Sequence, residues 1–174
     1  FDVASAFFAR LERGEPSPYG ATRDEMRETF SGIIAGLGNH LPVGAELLIH
    51  FCYGDANHRH VVEPTDMGDM VGMANLLAQK ITRPIQMLHM PVPRDRDDDP
   101  YFAPLGDLRL QNETALCLGL VHYTDGIEGT ARRMATARKH AENFMIATEC
   151  GFGRRPPDTI PELLRIHAEA AELE

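Results

Sequence analysis

Two short stretches of this 174-residue chain carry residues that bind soft metals, Ile49-His50-Phe51-Cys52-Tyr53 and Glu149-Cys150-Gly151. One imidazole nitrogen and two thiolate sulfurs suit Zn²⁺ better than Mg²⁺ or Ca²⁺, with Zn–N of about 2.0–2.1 Å and Zn–S of about 2.3 Å. Three protein ligands leave a fourth position for water or substrate, which is the catalytic arrangement. On an extended strand side chains alternate faces and residues two apart are separated by about 6.6–7 Å. His50 and Cys52 therefore share a face and can reach one ion, with Leu47, Ile49 and Phe51 on the other face. An isolated His-x-Cys equally fits a buried core strand. What favours chemistry is where the other strands of the chain end.

Apolar runs bounded by Gly, Pro and polar turns predict strands near 46–53, 85–90, 115–122 and 144–150. Helical spacing predicts helices over 2–13, over 23–38 behind a Thr22–Glu25 capping box, over 65–80 capped by Thr65, over 130–140 capped by Thr130, and over 160–173 capped by Thr159. In the second helix Met26, Phe30, Ile33, Ile34 and Leu37 form the expected apolar face. The Met67, Met70, Val71, Ala74 and Leu77 stripe reads as core. Arg94–Pro100 reads as a charged surface loop, and Cys117 as a structural thiol on the face of its strand opposite His122. Strands alternating with helices make a parallel sheet of right-handed βαβ units. Each strand delivers ligand-type or titratable side chains near its C-terminal end: His50 and Cys52, then His89, then His122 followed by Asp125, then Glu149 and Cys150. That is how a (β/α)8 barrel of the TIM type assembles its site. The barrel needs about 250 residues, so residues 1–174 are expected to form a single domain equivalent to its C-terminal half, with the N-terminal half outside this sequence.

Composition narrows the function. The chain is 43% hydrophobic and 25% charged, values of a globular domain, and its formal net charge of −9 disfavours a nucleic-acid surface. No apolar run reaches membrane-spanning length. Three widely spaced cysteines form no disulfide framework and fit a reducing, cytoplasmic setting.

The paired motifs resemble the C-terminal catalytic barrel of the cobalamin-independent methionine synthases, in the superfamily that also holds the uroporphyrinogen decarboxylases and the zinc thiol methyltransferases. In the synthases a His-x-Cys ends one strand and a Cys-Gly ends the last, within an Asn-Pro-Asp-Cys-Gly type sequence. Here those positions read His50-Phe51-Cys52 and Ala147-Thr148-Glu149-Cys150-Gly151. The resemblance covers roughly residues 46–173. It implies Zn²⁺ on His50, Cys52 and Cys150. The synthases take a further Glu ligand from the next strand, where this chain has Gln86-Met-Leu-His-Met90. His89 is therefore expected as the fourth metal ligand, with Glu149 or the substrate as alternatives for that place. Some zinc thiol methyltransferases manage with His, Cys and Cys alone.

The implied reaction is zinc-dependent transfer of a methyl or alkyl group to a small-molecule thiol from a small-molecule methyl donor. His122 and Asp125 would carry protons or contact substrate, and Glu149 would act beside them. The same metal can instead activate water, and the His58, His60, His89 and His122 mouth would serve a zinc-dependent lyase or hydrolase. A third reading is a barrel fragment without activity of its own. Partners are then expected to be the other barrel half or a second copy of the chain, with no nucleic acid or membrane.

Overall fold

The computed structural model describes residues 2–3, 5–14, 21–54 and 59–173. Five strands form one sheet in the order β1 (Asp2–Val3), β2 (Leu48–Phe51), β3 (Met87–Pro91), β4 (Ala115–Val121) and β5 (Met145–Thr148), each parallel to its neighbour. The chain is thus an α/β protein with a sequential parallel sheet, as the alternation of strand and helix patterns requires. β1 departs from the expected helix over 2–13. Asp2 and Val3 pair with His50 and Phe51, and helix α1 occupies Ser5–Arg13.

The other helices are α2 (Arg23–Asn39), α3 (Gly68–Lys80), the single turn α4 (Asp99–Phe102), α5 (Gly126–Ala137) and α6 (Ile160–Ala171). The Thr22 capping box forms, with Glu25 accepting from the Thr22 amide at 2.7 Å and the Thr22 hydroxyl accepting from the Glu25 amide at 3.2 Å. Two expected caps do not. α3 starts three residues after Thr65, and α5 starts before Thr130, whose hydroxyl donates to the Gly126 carbonyl within the helix. Thr159 does precede α6, but its hydroxyl bonds Pro156. In α2 the buried face is Met26, Ser31, Ile34, Ala35 and Gly38, and Phe30, Ile33 and Leu37 are exposed. The Arg94–Pro100 segment is not only a solvated loop. Asp98 caps α4, whose Tyr101 and Phe102 are fully buried.

Ile49, Phe51, Leu88, Met90, Leu116, Leu118 and Leu120 line up on one sheet face and join the helices in a single core cluster. The opposite face is different. Parallel pairing aligns His50 with His89, His89 with Cys117, and Cys117 with Met145, so these four form one row across it. Leu48 and Met145 on this face are 42% and 53% exposed. The helix-covered face supplies the hydrophobic stabilisation, and the other face is free to carry polar side chains.

α5 contains a fully buried arginine that the sequence pattern does not announce. Arg133 donates to the carbonyls of Leu120 and Arg94, and its guanidinium meets both oxygens of Asp125 at 2.7 and 2.9 Å. The ion pair holds the Asp125 carboxyl below its ordinary range against the opposing effect of burial. The Asp125 carboxylate lies directly over Gly129, where a β-carbon would collide with it.

Candidate metal centre

His50, Cys52 and Cys150 converge. Their ligand atoms all lie within 4.8 Å of one another, and His50 Nε2 is 3.9 Å from Cys150 Sγ. Tetrahedral zinc ligands of this kind stand about 3.6 Å apart, so the group is close to the geometry the ion requires. This convergence is not automatic, because β2 and β5 are separated by two strands and neighbouring strands lie about 4.8 Å apart. The chain past β5 closes the gap by crossing over β4. There the ladder shifts register between Leu118 and Val121, and Gly119 sits under the crossing. A β-carbon on Gly119 would be 2.7 Å from Glu149 Cα, 3.1 Å from the Thr148 carbonyl oxygen and 3.1 Å from Pro91 Cα. A glycine inside a strand permits such an approach of backbones. The same shift breaks the strict alternation that separated His122 from Cys117, and His122 lines a cavity with Cys150.

Hydrogen bonds fix the protonation pattern of the two stacked imidazoles. His89 Nε2 is 3.1 Å from the Thr148 carbonyl, so that nitrogen carries the proton and donates. His89 Nδ1, 2.7 Å from His50 Nδ1, is then an acceptor, and His50 Nδ1 donates to it. His50 Nε2 is left with its lone pair facing Cys150. This is the tautomer a metal ligand needs, set by a partner behind it. Burial first, and then the neighbouring His50, push His89 down to about 4, which keeps it neutral. Both ring nitrogens of His89 are engaged, so its place is behind His50, outside the His50–Cys52–Cys150 donor group. Replacing His89 with alanine should weaken zinc about 10–100-fold. Competition against a chromophoric chelator measures this, and unchanged affinity would mean that His50 is oriented some other way.

The two thiols also have support. The Gly54 amide donates to Cys52 Sγ at 3.3 Å. Hydrogen bonding to Cys52 and then to His50 holds the Cys150 thiol well below the ordinary thiol range. A thiol ready to ionise is what metal coordination demands. Cys117 contrasts with both: it is buried, and burial pushes it up to about 11.

Beside Cys150 lies a cavity of about 220 Å³, lined also by Gly54, His60, Arg94, His122, Tyr123, Thr124, Glu149 and Arg155. Glu149 is gripped by His60 through a short contact, while the other His60 nitrogen bonds Glu63 at 2.8 Å. Burial opposes charge on His60, but Glu149 and then Glu63 outweigh it and raise the imidazole to about 9. Burial raises the Glu149 carboxyl. His122 Nε2 donates to the Val92 carbonyl at 2.8 Å, and His122 Nδ1 lies 4.0 Å from Glu149. Burial, with Arg133 second, lowers His122 to about 4. Of the residues singled out from sequence, His122 and Glu149 line the cavity, whereas Asp125 is turned to Arg133. His58 lies outside the described residues. Arg155, Gly119 and the His60–Glu149 pair escaped the sequence reading. An isolated glycine in the apolar run of β4 was the available clue to the bulge.

The Asp97, Asp98 and Asp99 carboxylates do not gather around a common point. They pair respectively with Arg132, Arg96, and Lys139 together with His140. No described helix is long and apolar enough to cross a membrane.

No family model matches the chain, and no curated protein matches it. A solved structure that does match comes from Listeria monocytogenes and is provisionally described as a vitamin-B12-independent methionine synthase. It is 16% identical with a TM-score of 0.58, and the match covers 98% of this chain and 46% of that one. At this identity the likeness is one of fold. The chain is therefore an α/β protein of the barrel type, matching about half the length of that structure.

Proposed function

We propose that this chain carries the zinc centre of an enzyme that transfers a methyl or alkyl group to a thiol. The observation that carries the reading is the convergence of one correctly protonated imidazole and two thiols beside an open, polar cavity. His50, Cys52 and Cys150 would hold the ion, and the donor set fits zinc. When bound, zinc supplies a Lewis acid that favours the ionised form of a thiol otherwise mostly protonated near neutral pH. His89 keeps the His50 lone pair directed at the metal. His122 Nδ1, neutral on the cavity side, would accept a hydrogen bond from the acceptor thiol, and the proton the thiol sheds would leave to solvent through the open cavity. The acceptor's sulfur forms the new S–C bond, the donor's N–C or S–C bond breaks, and the leaving group takes up a proton. Glu149, neutralised by His60, shapes the cavity wall next to Cys150. Asp125 acts through Arg133, which fixes the carbonyls of Leu120 and Arg94.

The open face bearing Leu48 and Met145 would be covered by further barrel strands or by a second copy, and the donor and acceptor would be small molecules. Zinc-loaded protein, paired with its complementary barrel strands where these are separate, should convert thiols to thioethers in the presence of N-methyl or S-methyl donors. Mass spectrometry of the product tests this. Hydrolysis of the donor without thioether formation would instead favour the water-activating reading.

A further inference from the structure

The metal-binding side chains come from strand ends that are not neighbours. The sheet order places β3 and β4 between β2, which brings His50 and Cys52, and β5, past which Cys150 lies. A third segment bridges these ends. The chain returns to β2 after Gly54, where the Val61 amide donates to the Tyr53 carbonyl at 2.9 Å. Gly54 has a φ of +107°, and a β-carbon there would stand 2.7 Å from Val61 Cγ2 and 3.0 Å from the Val61 amide nitrogen. Arg13 of α1 donates to the Val61 carbonyl at 2.9 Å. His60 is held beside this anchor, its ring packed edge-on against the Tyr53 ring with centroids 5.7 Å apart. Tyr53 is itself buried and adjoins Cys52. From there His60 Nε2 grips Glu149, the residue before Cys150, and His60 Nδ1 bonds Glu63 at 2.8 Å. The His60 and Glu149 side chains are only 10% and 17% exposed. A carboxylate at that depth is costly to leave without its partner, so this pair resists separation as an exposed surface pair does not.

We propose that His60 is a positioning residue that ties the end of β2 to the end of β5 through Glu149, holding Cys52 and Cys150 together before any metal arrives. The inference rests on the metal site proposed above and adds to it a residue outside the donor set. The contact of His89 with Thr148 and the crossing at Gly119 hold the Cys150 segment from β3 and β4. His60 supplies the tie that comes from the β2 side itself. Ligands held in place beforehand lose less freedom on binding, so the tie is read as metal affinity.

Zinc affinity of the full chain carrying H60A, E149Q or both, measured by chelator competition, tests the tie. H60A should weaken zinc about tenfold or more, as when a group supporting a metal ligand is lost. In the E149Q background the same substitution should change affinity by less than about threefold, because the charge through which His60 acts is already gone. Unchanged affinity in H60A, or an equal weakening in both backgrounds, would overturn the proposal, the second outcome being that of a general loss of stability. Should H60A lose its native circular dichroism, H60N takes its place with the same outcomes, since its shorter amide cannot reach Glu149. If the unaltered chain binds no zinc, the proposed function fails, and a trivalent arsenical, which bridges two neighbouring thiols, decides the tie alone on metal-free protein. Capture that requires both Cys52 and Cys150 and slows in H60A sustains it. No capture by the unaltered chain, capture that survives the loss of either cysteine, or capture that H60A leaves unchanged overturns it.

Discussion

Gly119→Ala is expected to cost the protein its metal centre while leaving both cysteines and His50 in the sequence. The added β-carbon would stand 2.7 Å from Glu149 Cα and 3.1 Å from Pro91 Cα. These are backbone atoms, one in the crossing segment just past β5 and one at the end of β3, so no side-chain rotation relieves the overlap. Overpacking of this kind typically costs about 1–3 kcal/mol, which should appear as a lower urea midpoint. The larger effect is positional. The strand end that carries Thr148, Glu149 and Cys150 must lift away from β4, withdrawing the Thr148 carbonyl from His89 and the Cys150 sulfur from His50. A zinc affinity at least about tenfold weaker, measured on protein whose circular dichroism still shows the native helix content, is the expected result. Unchanged affinity would mean that Cys150 reaches the site by a route independent of the crossing at Gly119.

Cys52→Ser should have the greatest effect on metal content. Cys52 is buried, shares a strand end with His50 and receives the Gly54 amide. A serine hydroxyl occupies similar space but is a poor ligand for zinc beside a thiolate. Zinc should fall from about one per chain to a small residual fraction. Cys117→Ser is the internal control. Cys117 is buried two strands away from β2 in the row that begins at His50, so its loss should leave zinc content unchanged. Equal losses in the two variants would show that metal is held by scattered thiols.

The parts of this centre that were legible in the sequence are those fixed by short-range periodicity. Alternation along β2 placed His50 and Cys52 together, and the glycines that follow Cys52 and Cys150 closely marked where β2 and β5 end. The parallel order of the sheet followed from strands separated by helical patterns. What remained hidden depends on residues far apart in the chain. Glu149 meets His60 across 89 positions, and His89 meets Thr148 across 59. No local pattern reports such meetings. β1 has only two residues, too few for a period to show. Thr130 has the residue type of a helix cap but stands one turn inside α5, where its hydroxyl bonds back to Gly126. Phe30, Ile33 and Leu37 follow a helical apolar spacing that α2 does not bury, because small residues at Ser31, Ala35 and Gly38 form its contact face instead.

The most direct test of the centre is X-ray absorption at the zinc edge of the purified, zinc-loaded chain. Two sulfurs at about 2.3 Å and one imidazole nitrogen at about 2.0–2.1 Å are the predicted ligands, with one sulfur lost in Cys150→Ser. A shell of only oxygen and nitrogen, or an unchanged sulfur count in Cys150→Ser, would contradict the assignment of His50, Cys52 and Cys150 as the metal site.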